Sequence, residues 1–166
     1  MDKLQELEKK YKELGEEIEK LKNQGKVWKP KENERFYTVA GYGSTDSTKY
    51  CSKNDFTRGY EEMGNCFKSK REAEAMKEKI QIYTELKRLA EEINTEPIDW
   101  EKNTQTKYYI CYRYTDYFGN SERRIQSAPV ASQQDMGVVY SANKDFLKIA
   151  KERIGEDRLL KLFKEN

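Results

Sequence analysis

Histidine is absent from the 166-residue sequence, and this absence removes several classes of chemistry. Histidine is the commonest metal ligand and the usual general base near neutral pH, so catalytic triads and zinc sites built on it are excluded. Cysteine is also scarce: there are three, an odd number, and no two of them stand in C-x-x-C spacing. We therefore expect neither a zinc site nor a secreted disulfide framework, and interpret Cys51, Cys66 and Cys111 as reduced thiols that serve as small hydrophobic side chains.

Large non-polar residues are few, since Leu, Ile, Val and Phe together number 30. A content this low approaches that of disordered chains. However, 32 basic and 30 acidic residues nearly cancel to a net charge of +2, and 12 Tyr with 2 Trp supply large apolar side chains. We expect a folded, highly charged protein with a thin, tyrosine-rich core. Its small net charge is not typical of a general DNA-binding protein.

Long apolar runs are missing too, because no stretch approaches the ~20 residues of a membrane span, and the amino terminus is charged from Asp2 onward. We expect a cytoplasmic protein that makes no membrane contact. No pair of carboxylates has a spacing that distinguishes it as a general acid and base. We therefore expect no enzymatic activity, no catalytic residue, no metal site and no cofactor.

The amino-terminal segment, residues 1–24, has a heptad pattern. Six apolar residues alternate at steps of three and four: Leu4, Leu7, Tyr11, Leu14, Ile18 and Leu21. This spacing predicts a helix with one apolar seam. A helix of this length is marginal alone in water, so the seam packs either on a second copy of the chain or on the protein's own domain. We predict a homo-oligomer formed through this helix.

The rest of the chain contains an internal duplication at an offset of 72 residues. Matching pairs include Trp28 with Trp100, Phe36 with Tyr108, Tyr37 with Tyr109, Tyr42 with Tyr114, and Ser69 with Ser141. The two repeats, residues 27–96 and 97–166, each read as an aromatic strand, a polar turn, a returning strand, a short strand and a helix. The predicted fold class is α+β, with an amino-terminal heptad helix followed by two duplicated units of antiparallel strands plus helix.

Local patterns place the elements of each repeat. In the first, residues 35–42 and 48–53 predict a hairpin, and Ser69 with Glu72 forms a capping box that starts a long helix. In the second, residues 107–117 and 122–127 predict the hairpin and residues 137–140 the short strand. The last helix should begin near Ser141 or Asn143 and break at Gly155.

Strand 107–117 carries the first candidate binding surface. Its alternation separates an inner set, Tyr108, Ile110, Tyr112 and Tyr114, from an outer set that includes Tyr109, Arg113 and Tyr117. Arg123 and Arg124 lie on the neighbouring strand. Tyrosines beside arginines suit a nucleotide, a single-stranded nucleic acid or a protein partner, because the rings stack and the guanidinium groups bind phosphate. The alternative is an ordinary solvated sheet face with Tyr–Arg pairs.

A polar cluster before Gly64 is the second candidate, and it includes Arg58 and Tyr60. We place the cluster in a loop, where it acts in recognition or anchors the loop. Gly64 and Asn65 are expected to form a turn with positive φ, since no phosphate-binding glycine spacing follows. The Lys/Glu-rich segments at 1–22 and 69–95 read as solvated helix faces.

Several short motifs follow one another in an order that resembles a known group of proteins. They are Trp28-Lys29-Pro30, Asp55 and Arg58 before Gly64-Asn65-Cys66-Phe67-Lys68-Ser69, then Asp99-Trp100 and Ile154-Gly155-Glu156-Asp157-Arg158. The chain resembles small accessory proteins from phages and prophages of low-GC Gram-positive bacteria.

The resemblance implies a viral accessory protein that inhibits host defence, in the manner of an anti-CRISPR protein, by binding an immune effector or by sequestering a nucleotide messenger. The alternative is a nucleic-acid-binding or structural phage protein.

Overall fold

The computed structural model describes residues 3–23, 28–41, 43–117 and 120–163, without the side chains of residues 16, 19–23 and 114–122. The elements, in chain order, are α1 (Lys3–Asn23), β1 (Arg35–Val39), β2 (Thr45–Lys49), α2 (Asp55–Glu62), α3 (Lys70–Ile93), β3 (Lys107–Tyr117), β4 (Asn120–Val130), β5 (Tyr140–Ser141), α4 (Phe146–Arg153) and α5 (Glu156–Leu160). Helices and antiparallel strands are both present, so the predicted α+β class with an amino-terminal helix and strand-helix units is confirmed.

The chain divides into two compact units. The first comprises Met1–Tyr37 and Ser47–Lys68, and the second Thr38–Asp46 and Ser69–Asn166. The division passes through the β1–β2 hairpin, and it assigns α3 to the second unit although the sequence repeat places α3 in the first copy. The units are therefore described separately.

The first unit is held together by aromatic rings. Phe36 is fully buried, and its ring meets those of Tyr50 and Tyr60 edge-on, with centroids 6.4 and 6.2 Å away. Tyr37 pairs with Phe67 through an antiparallel bridge. Gly64 has φ +69°, as its position in the Gly64-Asn65 turn predicts.

The helix α2 replaces the loop that we expected before Gly64. Asn54 caps its amino terminus by accepting a hydrogen bond from the Phe56 amide at 2.9 Å. Arg58 supports the same helix through ion pairs with Asp55 and Glu62, three residues before it and four after it. The loop expectation was wrong because α2 has only eight residues, too few for a clear apolar period.

The second unit contains the main apolar core. In this unit α3 starts at the predicted capping box, in which the Ser69 hydroxyl accepts from the Glu72 amide and the Glu72 carboxylate from the Ser69 amide, each at 3.3 Å. The core takes residues from every helix of the unit, from β3 and β4, and from positions next to these elements: Ile82, Leu86 and Leu89 of α3, Ile110 of β3, Ile125 of β4, Val139 just before β5, Phe146 and Ala150 of α4, Ile154 at the end of α4, and Leu159 of α5.

A three-stranded antiparallel sheet, in the order β4-β3-β5, carries the candidate site. Tyr109 pairs with Tyr140 of β5, as Tyr37 pairs with Phe67 in the first unit. Trp28 precedes β1, Trp100 precedes β3, and both are partly buried. No described helix is long and apolar enough to cross a membrane.

Candidate functional site

The two faces of β3 differ in the way that its alternation predicts. On the inner face Ile110 is buried in the core, and Tyr112 packs against that core with its ring stacked on Phe163 at 6.1 Å. The opposite face presents Tyr109 and Arg113, of which Tyr109 is partly buried and Arg113 is exposed. Strand geometry therefore separates the core-facing side chains from an opposite face, which is accessible at Arg113 and buried at Lys107.

Two arginines stand directly opposite each other on this accessible face. Arg113 of β3 is the register partner of Arg124 of β4, and both side chains are exposed. The guanidinium of Arg113 donates a hydrogen bond of 2.7 Å to the hydroxyl of Tyr109. Like charges directly across a strand pair repel each other, so an anion on this face would be attracted to both. We call Tyr109, Arg113 and Arg124 the outer face.

An aromatic cluster supports one end of the outer face. The ring of Tyr109 lies 5.6 Å from that of buried Tyr140, which in turn meets Trp100 edge-on at 4.9 Å and an interplanar angle of 85°. The Tyr140 hydroxyl accepts a hydrogen bond of 2.9 Å from the Asp135 amide. This packing fixes the Tyr109 ring, and through it the hydroxyl that orients Arg113.

Lys107 lies beneath the aromatic cluster and is fully buried. Its ammonium donates to the backbone carbonyls of Lys102 at 3.1 Å and Ala131 at 2.7 Å, and it lies 5.3 Å from the ring centroid of Trp100. Backbone oxygens and the π face of an indole thus replace the water that the charge loses. Sequence reasoning missed this residue, since a lysine at the start of a strand carries no signal that it is buried.

The other predicted site residues lie apart from the outer face. Arg123 pairs in register with position 114, one residue out of step with the Arg113–Arg124 pair, so it belongs to the opposite sheet face. The side chain of Tyr117 lies outside the described residues. The outer face is therefore smaller than the set that the sequence suggested.

The predicted residues Arg58 and Tyr60 belong to the first unit and have structural contacts. Arg58 pairs with Asp55 of its own helix at 2.6 Å. The Tyr60 ring packs edge-on against Phe36 at 6.2 Å and against Phe56 at 5.3 Å. These contacts favour the anchoring interpretation of this segment over recognition.

A carboxylate in the same unit joins two further residues. Glu61 accepts hydrogen bonds from the Lys29 ammonium at 2.8 Å and from the Tyr50 hydroxyl. These bonds hold the pKa of Glu61 below its usual value and raise the pKa of Lys29. The bond to Glu61, together with burial, raises the pKa of Tyr50 to about 12. The arrangement ties the segment before β1 to α2, and we interpret it as structural.

Two adjoining cavities lie in the second unit, and sequence reasoning identified neither. The first, of about 520 Å³, is lined by residues that include Trp100, Tyr140, Lys87, Glu91 and Glu96. The second, of about 360 Å³, is more apolar, and its lining includes Ile80, Leu86, Ile110, Leu162 and Phe163. Tyr83, Val138 and Val139 line both. Among the described residues that line the two cavities there is no arginine.

Metal-ligating groups do not converge in the described part of the chain, where no cluster of three or more Cys, Asp or Glu side chains is placed to hold an ion. The three cysteines are free and partly buried. Burial is the main cause that raises the pKa of the Cys66 thiol to about 11, which makes it a poor nucleophile at neutral pH.

Comparison with known proteins finds no protein-family model, no curated protein and no solved structure that matches the chain.

Proposed function

We propose that this protein is a non-enzymatic, phage-encoded inhibitor that acts in the host cytoplasm and blocks a bacterial defence system by covering an anionic surface of an immune effector. The resemblance to phage accessory proteins supports the biological context. The observation that carries the binding mode is the Arg113–Arg124 pair, exposed and directly cross-strand, with the hydroxyl of Tyr109 bonded to Arg113. Exposed arginine and tyrosine are typical of interface hot spots.

An extended anionic surface suits the outer face better than a small nucleotide messenger does. Sequestration of a messenger needs an enclosed site in which aromatic and cationic groups converge. The first cavity has aromatic walls, but among its charged lining residues Glu91 and Glu96 outnumber Lys87. The arginines lie instead on an open sheet face. In the first cavity, where a base could stack on the aromatic walls, the two glutamates would repel a phosphate group. On the outer face the two arginines are open to a flat partner.

A single-stranded nucleic acid is the second candidate partner, because a tyrosine adjoins two arginines on the same face. Such proteins combine cations that follow the backbone with aromatic rings on which bases stack. The partial burial of Tyr109 against Tyr140 disfavours this reading, since a ring that is already packed offers less stacking surface. The small net charge of +2 is also unfavourable for binding governed by phosphates.

The test of the proposal uses phage infection. Expression of the wild-type protein should restore plating of a defence-sensitive phage on a host that carries the blocked system, and not change plating on a host without it. The variant Arg113→Ala with Arg124→Ala should lose the rescue. The matched control, Arg71→Ala with Arg88→Ala, removes the same charge from exposed positions of α3 and should keep it.

Once the rescue of phage plating has identified the blocked effector, the same variants distinguish a protein partner from a nucleic-acid partner. Loss of one hot-spot arginine costs ~2 kcal/mol, or about 30-fold in Kd. Failure to rescue against any of a panel of nuclease-based and messenger-based systems would refute the anti-defence role. Tight binding of a labelled single-stranded DNA that the Arg113–Arg124 variant abolishes would establish the nucleic-acid alternative instead.

A further inference from the structure

The apolar seam of α1 is exposed along its described length. Its side chains have exposed fractions of 62% at Leu4, 56% at Leu7, 81% at Tyr11, 58% at Leu14 and 45% at Ile18. Within the first unit, to which α1 belongs, the seam is therefore left uncovered. A stripe of regularly spaced large apolar residues in water needs a partner surface with the same spacing.

The seam has the composition of a two-stranded coiled coil. With Leu4, Tyr11 and Ile18 at heptad position a, every d position is leucine, at residues 7, 14 and 21. Leucine at d with a β-branched residue at a favours two parallel strands, which Ile18 supplies. The heptad register also assigns the flanking positions, with residues 3, 10 and 17 at g and residues 8, 15 and 22 at e.

The flanking charges select a parallel orientation. In a parallel pair each g residue faces the e residue five positions later on the other helix. Lys3 then faces Glu8, Glu17 faces the lysine at position 22, and Lys10 faces Gly15, so two of these pairs are attractive and none is repulsive. An antiparallel pair with a opposite d places g against g and e against e, so the g row brings together two lysines and one glutamate, and the e row one glutamate and one lysine.

The ion pairs within α1 agree with the parallel arrangement. Lys10, which would face an uncharged glycine, is already bonded to Glu6 of its own helix at 2.8 Å. By contrast, among the ion pairs of the described residues none involves Lys3, Glu8 or Glu17. Lys3, Glu8 and Glu17 thus have no ion pair within the described residues of α1 that would compete with pairing to a parallel copy.

We propose that α1 binds α1 of a second copy of this chain as a parallel, in-register coiled coil, so that the protein is a dimer with both amino termini at one end. This inference concerns α1 alone and is independent of the partner proposed for the outer face. Because the seam spans only two and a half heptads, the dimer should dissociate on dilution.

Charge reversal in the full-length chain tests both the dimer and its orientation, with sedimentation equilibrium as the measurement. Lys3→Glu and Glu8→Lys should each weaken the dimer on the order of tenfold, because each turns two attractive contacts into repulsive ones. The double variant Lys3→Glu with Glu8→Lys should restore the wild-type Kd, since the attraction is re-formed with its signs exchanged. A seam variant, Leu14→Glu with Ile18→Glu, should be monomeric.

Three outcomes would overturn the proposal. A wild-type chain that is monomeric at its highest soluble concentration excludes the dimer. A seam variant with unchanged mass places the contact elsewhere. The antiparallel arrangement would be established by two results together. The single reversals at Lys3 and Glu8 would leave the dimer Kd unchanged, and Lys10→Glu would weaken the dimer in a way that the added change Glu17→Lys restores. Circular dichroism of each variant shows whether the remaining domain keeps its fold.

Discussion

Replacement of Lys107 by methionine should destabilise the second unit, even though the change removes a buried charge. Methionine has a similar length and no branch, so the change removes the ammonium group with little change of volume. Two effects oppose each other. A buried ammonium costs several kcal/mol to desolvate, and its removal relieves that cost. Against this, the carbonyls of Lys102 and Ala131 lose a charged donor at 3.1 and 2.7 Å, and Trp100 loses its cation.

The geometry indicates that the lost bonds outweigh the relief. Hydrogen bonds to charged groups contribute ~1.5–3 kcal/mol each net of desolvation, and a cation–π contact up to ~2 kcal/mol when desolvated. The Lys102 carbonyl keeps a second donor, the Gln105 amide at 3.1 Å, so its loss is the smaller one. A net loss of about 2–3 kcal/mol follows, which corresponds to a Tm lower by roughly 4–12 °C in a protein of this size.

Urea unfolding monitored by Trp100 fluorescence in a Trp28→Phe background would measure this loss. The control Lys148→Met removes an exposed lysine of α4 and should change the free energy of unfolding by less than about 0.5 kcal/mol. If Lys107→Met were as stable as the wild type, or more stable, desolvation would dominate at this site. The view that Lys107 supports the aromatic cluster would then be wrong.

Three further expectations concern the first unit. Because the pKa of Tyr50 in the folded protein is raised from 10.0 to about 12, its contribution to stability is complete below pH 10 and is lost as the pH rises toward 12. The free energy of unfolding of Tyr50→Phe should therefore fall less over this pH range than that of the wild type. Glu61 has a lowered pKa, so its contribution to stability is present above the ordinary glutamate pKa and lost as the pH falls. Glu61→Gln should therefore make the free energy of unfolding depend less on pH in the acid range. A thiol pKa raised from 9.0 to about 11 should make Cys66 alkylate about 100-fold more slowly in the native than in the urea-unfolded protein, read by mass spectrometry at pH 8.

The parts of the fold that are predictable from sequence are those governed by local periodicity and capping. The six-residue seam of α1 and the Ser69–Glu72 box of α3 each specify a helix through neighbours within four residues. The helix α2 was missed because eight residues show little more than two turns. The assignment of α3 to the second unit depends on contacts such as those of Asn94, whose side-chain oxygen accepts from Ser141 and Ala142 far along the chain. No local pattern contains that information.

The candidate site was predictable in its alternation but not in its register. A period of two is sufficient to place Tyr109 and Arg113 on one face of β3. Which of the adjacent arginines 123 and 124 joins them depends on how many residues form the turn, because a shift of one residue moves every side chain to the other face. The packing of Trp100 and Tyr140 against the strand is a tertiary contact, and the burial of Lys107 follows from it.

The duplication that we infer from the sequence allows the two hairpins to be compared residue by residue. At the offset of 72, Tyr109 corresponds to Tyr37, and each pairs with a short strand segment that follows. Arg113 and Arg124 correspond instead to Gly41 and Ser52. The first repeat turns at Ala40–Ser44, where β3 continues as a strand, so the residues that correspond to the arginine pair lie outside β1 and β2.

Replacing the pair with the residues of the first repeat, Arg113→Gly with Arg124→Ser, should therefore preserve the framework and remove the binding surface. Glycine within a strand costs roughly 0.5–1 kcal/mol. We expect a change in the free energy of unfolding of at most about 1 kcal/mol, together with loss of the rescue of phage plating. Severe destabilisation would mean that the arginines hold the hairpin together, and unchanged rescue would move the search for the binding surface to the cavities beside Tyr83.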